Sequence, residues 1–557
     1  MLSSSNKGGF FVLLIECNNI KKYYNDKMIL DVDNLKVYLQ DKIGVVGLNG
    51  VGKTTLINIL SKNLEPDEGW VKLYGKAEYI SQLDTLDYTD ISSEMASRFS
   101  IKTTWDKYMS GGEKTRFKLA RALDSESKII FADEPTSNLD IEGIEIIEEK
   151  FSEYKGAFMV ISHDRSLLDK LCNKIIEIDN GKIKVYTGNY SDYRKQKVHE
   201  RDRAQFEYEE YVNEKRRLIG VIEETKHKVK SIRNAPRRMG NSEARLHRMG
   251  GQKAKVKLEK KVKSLRTRIE HLDIKEKPKE EIKINLDILD SNNRLHSKII
   301  IEGKKINKAF KDKIIFKNAE FNIYNGAKIA LIGPNGSGKS TLIKMIMNNE
   351  DCIRIAQRAK IGYFSQDLNI LNKDLNILEN VMESSIYPES YVRLLLARLL
   401  FRGESIYKKV EILSGGEQVK VSFAKILLQD INLLILDEPT NYLDINSLEV
   451  IEDALKDYDR TLLVVSHDRQ FINSVANQIM IIENYIIRMF AGTYNEYLET
   501  KDNYLDKNEE EIKKQIIILE NRLSEVIGRL SMQLKKEETE ALDKEYYEIL
   551  DELKKLK

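Results

Sequence analysis

Apolar residues along this chain fall into two kinds of pattern: short continuous runs closed by glycines, and long stretches of helical period. Residues 43–46 and 329–332 read as buried strands. Each leads through a glycine-rich loop into a helical pattern, opening at Thr54-Thr55-Leu56 and at Ser340-Thr341-Leu342. Residues 128–132 and 433–436 are further apolar runs, each ending at an acidic pair. Residues 10–15 read as a first strand, far shorter than the roughly 20 apolar residues that span a bilayer, so the chain is expected to carry no membrane anchor of its own. The other pattern appears twice. Leu258, Val262, Leu265, Ile269 and Leu272 recur at 4-3-4-3 spacing between the strand-rich regions, and Ile512, Ile516, Leu519, Leu523, Val526 and Leu530 recur likewise in the tail, followed by Leu542, Tyr546, Ile549, Leu553 and Leu556. Both stretches predict helical pairs.

The strand-rich regions are copies of one another. Gly47-Leu48-Asn49-Gly50-Val51-Gly52-Lys53-Thr54 and Gly333-Pro334-Asn335-Gly336-Ser337-Gly338-Lys339-Ser340 both fit the phosphate-loop pattern GxxxxGK[ST] in its strand-to-helix context. Tyr24 and Phe310 each precede the loop lysine by 29 residues, and Ser110 and Ser414 each precede Glu134 and Glu438 by 24. The offset between copies grows from 286 to 304, so the second copy carries about twenty extra residues between Gln366 and Ser414, which predicts a more elaborate helical subdomain there. The expected organisation of the 557 residues is a cassette at 14–193, a helical-hairpin linker at 194–277 with its tip at about 226–240, a second cassette at 298–500, and a helical extension at 501–557. The fold class is α/β.

The residue types at the repeated positions fit nucleotide hydrolysis. Gly47, Asn49, Gly50, Gly52 and Thr55, with Gly333, Asn335, Gly336, Gly338 and Thr341, form cradles for phosphate at a helix N-terminus. Lys53 and Lys339 are placed to reach the β and γ phosphates. Thr54 and Ser340 supply hydroxyls for Mg²⁺, and Asp133 and Asp437 hold that ion from rigid strand ends, partly through water. Glu134 and Glu438 follow directly and are the candidate catalytic carboxylates, able to polarise the attacking water. His163 and His467, each in Ser-His-Asp-Arg and 29 residues beyond the glutamate, are placed for a γ-phosphate contact. Gln82 and Gln366 are further candidates for nucleotide and metal. The rings of Tyr24 and Phe310 can stack on adenine or sit in the core beside a strand. Ser110-Gly111-Gly112-Glu113 and Ser414-Gly415-Gly416-Glu417 open helices and offer a hydroxyl and N–H groups to an anion. Cys17, Cys172 and Cys352 fit neither a disulfide framework nor a metal site and read as small buried residues of a reducing compartment.

In this order, twice over, the motifs resemble the ATP-binding cassette family: phosphate loop, glutamine loop, Ser-Gly-Gly-Glu signature, Asp-Glu-Pro-Thr run, the D-loop aspartates Asp140 and Asp444, and switch histidine. The resemblance implies a monomer whose own cassettes pair around two ATP molecules, Lys53 facing Ser414 and Lys339 facing Ser110. Residues 186–193 and 492–497 resemble the cassette ends of the ABC-F subfamily, which binds ribosomes.

Charge singles out the linker. Residues 194–277 hold 26 Lys and Arg against 13 Asp and Glu, a net +13, whereas the whole chain carries only +3. A solvated spacer needs neither two long helical arms nor this excess, and phosphate neutralisation needs the excess. Arg237, Arg238, Arg245, His247, Arg248, Lys253 and Lys255 are the candidate RNA contacts, and Asn241 or Ser242 the cap of the returning helix. The run from Pro236 to His247 resembles the antibiotic-resistance branch of ABC-F proteins, the Vga, Lsa and VmlR types. That resemblance implies a cytoplasmic factor on the bacterial ribosome, its linker entering the exit-site tRNA region against 23S rRNA and releasing drugs from the peptidyl-transferase centre. The classes implied are lincosamide, streptogramin A and pleuromutilin. Gln82 and Ser110 are only 28 positions apart, too few for the extra arm usual in housekeeping ABC-F factors. A housekeeping factor, the ATPase subunit of a drug transporter and a DNA-repair ATPase are the alternatives; the last lacks its expected cysteine clusters or long heptad arrays. The tail, with 12 basic and 15 acidic residues, fits helix packing better than RNA.

Overall fold

The computed structural model describes residues 12–81, 90–106, 108–137, 139–231, 241–277, 297–311, 313–365, 370–440 and 443–501, with 519, 522, 523, 526, 544, 549, 550 and 554 of the tail; for 241–252 only the backbone is described. The chain divides into two compact units. One comprises Met1–Ser81, Ser125–Glu134 and Phe151–Lys283, the other Gln82–Asp124, Pro135–Lys150 and Ile284–Lys557. The helical segments of the first repeat therefore cluster with the second repeat.

In the first unit, β1 (Leu13–Tyr24), β2 (Lys27–Tyr38) and β4 (Glu68–Leu73) form an antiparallel sheet in the order β2-β1-β4. Of the expected first strand, residues 10 and 11 lie outside the described residues; β1 runs from Leu13 on to Tyr24, which still pairs with Lys27 of β2. The turn closing β1 on β2 places Asn25 and Asp26 at positive φ (44° and 60°), the residue types that a two-residue hairpin turn tolerates best. The second sheet is parallel except at its last strand: β5 (Ala77–Ile80), β6 (Ile129–Asp133), β7 (Ala157–Ile161), β3 (Lys42–Val46), β8 (Lys174–Asp179) and β9 (Lys182–Thr187), in that spatial order. Helix α1 (Lys53–Leu60) contributes Leu56 and Ile57 to a core shared with Val45, Phe131, Met159 and Ile176. Strands β6 and β7 are buried throughout, which explains why they read as unbroken apolar runs.

The linker forms two long helices, α6 (Tyr190–Ser231) and α7 (Asn241–Glu270). Glu207 pairs with Lys275 at 3.2 Å and Glu214 with Arg268 at 3.3 Å, a register that runs antiparallel. The predicted tip at 226–240 needs correction at its start. Residues 226–231 continue α6, since the run from Lys226 to Lys230 contains no breaker and Thr225 Oγ1 bonds back to the Val221 carbonyl. The return begins at Asn241 as the first residue of α7, and the side chains of Asn241 and Ser242, the two expected caps, lie outside what is described. The root of α6 is fixed to α5 (Arg165–Leu171): Asp169 accepts from the Ser191 amide at 2.7 Å and its hydroxyl at 2.8 Å. Tyr193 adds a hydroxyl bond to Glu177 on β8.

The second unit repeats the two sheets, β10 (Ile299–Phe310), β11 (Lys313–Tyr324) and β13 (Ile353–Ile355) in the order β11-β10-β13, and β14 (Ile361–Phe364), β15 (Leu433–Asp437), β16 (Thr461–Val465), β12 (Lys328–Ile332), β17 (Gln478–Glu483) and β18 (Ile486–Ala491) as the larger one. It also holds α2 (Ser93–Arg98), α3 (Gly111–Asp124) and most of α4 (Ile141–Glu153) from the first repeat. The extra residues of the second copy form α9 (Ile377–Met382), capped by Asn376 and Glu379, α10 (Glu389–Arg398) and two 3₁₀ turns, where the first copy has α2 alone among the described residues. In the tail, Val526 and Ile549, both at predicted apolar positions, are helical and buried. Among the described residues no helix is long and apolar enough to cross a membrane.

Candidate active sites

Each phosphate loop is built on glycines in conformations that L side chains rarely adopt, with φ of 150°, 75° and 105° at Gly47, Gly50 and Gly52 and of 155°, 75° and 110° at Gly333, Gly336 and Gly338. A Cβ on Gly47 would lie 2.6 Å from the Ile178 carbonyl, and one on Gly333 2.8 Å from that of Ile482. Helices α1 and α8 (Lys339–Met347) start at the loop lysine with no side-chain cap, leaving first-turn N–H groups and the positive helix end for an anion. Lys53 donates to the carbonyls of Gly47 (2.8 Å) and Leu48 (3.2 Å), and Lys339 to those of Gly333 (2.7 Å) and Pro334 (3.2 Å). Burial lowers the Lys339 pKa, partly offset by Glu438, Asp140 and Asp437. Ser337 Oγ is buried in its loop without a hydrogen-bond partner among the described residues. The cradle, the helix ends and this hydroxyl fit a bound polyphosphate.

The carboxylates stand at the ends of β6 and β15, which β7 and β16 separate from the phosphate-loop strands β3 and β12. Thr54 Oγ1 donates to Asp133 Oδ2 at 2.8 Å, joining the two groups expected to serve a divalent ion. Asp437 takes a hydrogen bond from Tyr363 instead. Burial raises the pKa of both aspartates. Glu134 and Glu438 follow at φ 50°, a left-handed conformation unusual for a residue with a side chain, and the backbone N–H of each donates a 2.9 Å hydrogen bond to a carbonyl of a neighbouring strand, that of Ile161 and that of Val465. His163 Nε2 lies 3.4 Å from Glu134 Oε1, and His467 Nε2 3.4 Å from Glu438 Oε1. Burial pushes both glutamates up to about 8. Burial and the Lys339 charge lower His467 to about 4, so it is neutral at physiological pH.

Tyr24 and Phe310 stand at the ends of β1 and β10 with 48% and 55% of their surface exposed, which removes the core-aromatic reading and leaves the rings open to stack. Ser110 and Ser414 cap the signature helices α3 and α11 (Gly415–Leu427) in reciprocal bonds with Glu113 and Glu417. Gln82, Gln366, Arg237 and Arg238 lie outside the described residues, and of Arg245, His247 and Arg248 on α7 only the backbone is described; Lys253 and Lys255 are exposed on that helix.

Several contacts were not foreseen from the sequence. Asp140, at the start of α4, accepts from the Gly143 amide at 3.0 Å and from the phosphate-loop amide of Asn335 at 2.9 Å. Burial tends to raise its pKa, but these bonds outweigh it and the net shift is downward. Its counterpart Asp444 is buried, bonded to the Ser447 amide and hydroxyl at 2.9 Å and to Lys420 Nζ at 3.0 Å. Glu148, on α4 and fully buried, forms a two-pronged ion pair with Arg469. Repeat register gave a signal for this pair: Arg165 and Glu452 occupy the corresponding positions of the other copy and are also buried.

Two copies of a phosphate loop, a strand-end aspartate, a glutamate with a histidine partner, and a serine-capped signature helix define a tandem-cassette ATPase. The ABC transporter family profile matches residues 30–137 and 316–441. The ribosome protection protein VmlR of Bacillus subtilis (strain 168) is 28% identical over 558 residues, 98% of each chain. The erythromycin resistance ATP-binding protein MsrA of Staphylococcus epidermidis is 32% identical over 475 residues, 83% of this chain and 96% of that protein. This chain belongs to the ABC-F family of ATP-binding cassette ATPases, and within it to the antibiotic-resistance branch. The solved structure of RNase-L Inhibitor shares the fold, with a TM-score of 0.57 and 19% identity over 87% of this chain and 92% of that one.

Proposed function

We propose that this protein is an ATP-driven ribosome-protection factor of the bacterial cytoplasm, acting as a monomer that enters the ribosomal exit site and dislodges lincosamide, streptogramin A or pleuromutilin antibiotics. The observation that carries this reading is the linker: two antiparallel helices of 42 and 30 residues, within a segment, 194–277, whose net charge is +13, joined to catalytic units that need no such appendage. That VmlR and MsrA are named for ribosome protection and erythromycin resistance supports it.

In this reading Lys53 and Lys339 leave their loop carbonyls to meet the β and γ phosphates of ATP, and the exposed rings of Tyr24 and Phe310 stack on adenine. Thr54, Asp133 and Gln82, and Ser340, Asp437 and Gln366, would hold Mg²⁺, which when bound neutralises phosphate charge. Glu134 and Glu438 orient and deprotonate the attacking water, and the neutral His467 fixes the glutamate beside it. The second unit contains Lys339 together with Ser110, and in this reading the Ser110 signature helix completes that nucleotide's site. Lys253 and Lys255, with Arg237, Arg238, Arg245, His247 and Arg248, supply contacts to 23S rRNA.

The test is co-sedimentation of the Glu134→Gln, Glu438→Gln double variant with ribosomes in ATP, where stable association is expected; none would overturn the proposal. Replacing residues 232–240 by a short Gly-Ser turn should abolish drug resistance in a sensitive host while leaving ATP hydrolysis intact. Undiminished resistance would favour a transporter ATPase.

A further inference from the structure

We infer that Glu148 and Arg469 form a positioning pair through which helix α4 of the first repeat sets the hydrolytic geometry at Glu438. The proposal rests on the reading of Glu438 and His467 as the hydrolytic pair and stands apart from the ribosome reading. Glu148 has no exposed surface, and its carboxylate takes both arms of the Arg469 guanidinium. Such a carboxylate tolerates burial only when paired, so the two residues assume these positions together or not at all. Arg469 is the first residue of α13 (Arg469–Val475), whose cap Asp468 accepts the Phe471 amide at 2.9 Å. His467 stands two residues earlier, its Nε2 3.4 Å from Glu438. Anchoring the first turn of α13 therefore fixes the backbone that carries His467.

The same helix α4 makes a second attachment. Asp140, one residue before its start, holds the Asn335 amide of the phosphate loop at 2.9 Å. Two acidic residues about two turns apart on one rigid helix thus grip the phosphate loop and the histidine loop of the same site. Their spacing is fixed by helix geometry. When α4 is seated, Lys339 and His467 are held at a set separation around Glu438. When it withdraws, Arg469 and Glu148 separate and the histidine loop loses its anchor.

The experiment uses the full chain carrying Glu134→Gln, so that turnover reports the Glu438 site. Adding Glu148→Gln should lower kcat by roughly tenfold while KM for ATP stays within about threefold, the signature of an interaction expressed in the transition state. In a His467→Ala background the same substitution should cause little further loss, because Glu148 acts through that residue. The exchange Glu148→Arg, Arg469→Glu should recover at least about a third of the lost rate. Additive losses with His467→Ala, a change confined to KM, or an exchange variant that melts like the parent without recovering rate would overturn the proposal. Arg469→Lys, which keeps the charge but not the two-pronged grip, should lie between parent and Glu148→Gln and serves if the neutral variant does not fold.

Discussion

The two D-loop aspartates occupy the same place in the repeat and have opposite surroundings. Asp444 is closed off by Ser447 and Lys420, whereas Asp140 has Gly143 and Arg116 at the matching positions and gives one oxygen to the phosphate loop at Asn335. The reacting groups show no such difference: both glutamates sit at φ 50°, both amide anchors measure 2.9 Å, and both histidines lie 3.4 Å away. The glutamate–histidine geometry is duplicated, and what varies is how each site is tied to its surroundings, including at the metal-side aspartates, where Thr54 bonds Asp133 and Tyr363 bonds Asp437. A serine and a lysine turn an aspartate inward; a glycine and an arginine leave it free to reach out.

The largest test of this equivalence is hydrolysis. The Glu134→Gln, Glu438→Gln double variant should lose roughly a thousandfold in turnover, the scale of a general base, measured by phosphate release. The two single variants should retain similar rates if the sites are chemically alike, and a large disparity would break the comparison. Next in size is stability. Lys420→Met strands the buried Asp444 carboxylate and should cost about 3 kcal/mol in denaturant unfolding, while Arg116→Met should cost less than about 1 kcal/mol because Asp140 keeps its two amides. Equal losses would show that the asymmetry has no energetic content.

A pH profile probes both sites together. With glutamates raised to about 8 in the unliganded protein, kcat/KM should climb roughly eightfold from pH 7 to 8.5 as they lose protons, and His467, at about 4, should add no limb above pH 6. The raised values also imply a stability contribution that is complete below the ordinary glutamate value of 4.5 and lost as pH rises through about 8, readable as a falling melting temperature that the double Gln variant does not show. Ser447→Ala should cost about 1 kcal/mol in the same denaturant unfolding measurement, for one hydroxyl bond to a buried carboxylate.

The elements that carry chemistry were legible because repeat register and strand-to-helix context both marked them. Lys53, Asp133 and Glu134, with Lys339, Asp437 and Glu438, lie where the motifs required. The ion pair of Glu148 with Arg469 was not, since its members are 321 residues apart and nothing local distinguishes a buried glutamate on an amphipathic helix from a solvated one. The start of the linker tip was misplaced for a different reason. A lysine-rich stretch resembles a loop in composition, yet straight-chain residues favour helix, and α6 runs through it to Ser231. The position of Tyr24 at a strand end also escaped the sequence, because alternation weakens where β1 leaves the core.

The Asp169–Ser191 attachment gives α6 the properties of a lever. Helix α5 begins two residues after His163, and its Asp169 grips the second residue of a rod that extends about 63 Å at 1.5 Å per residue. A tilt of about 10° at the α5 end, small enough to be absorbed by repacking a few side chains, would sweep the far end through about 11 Å, the width of an α-helix. Displacements too small to matter at the phosphates are thereby geared up to the dimensions of a side chain or a small molecule at the other end.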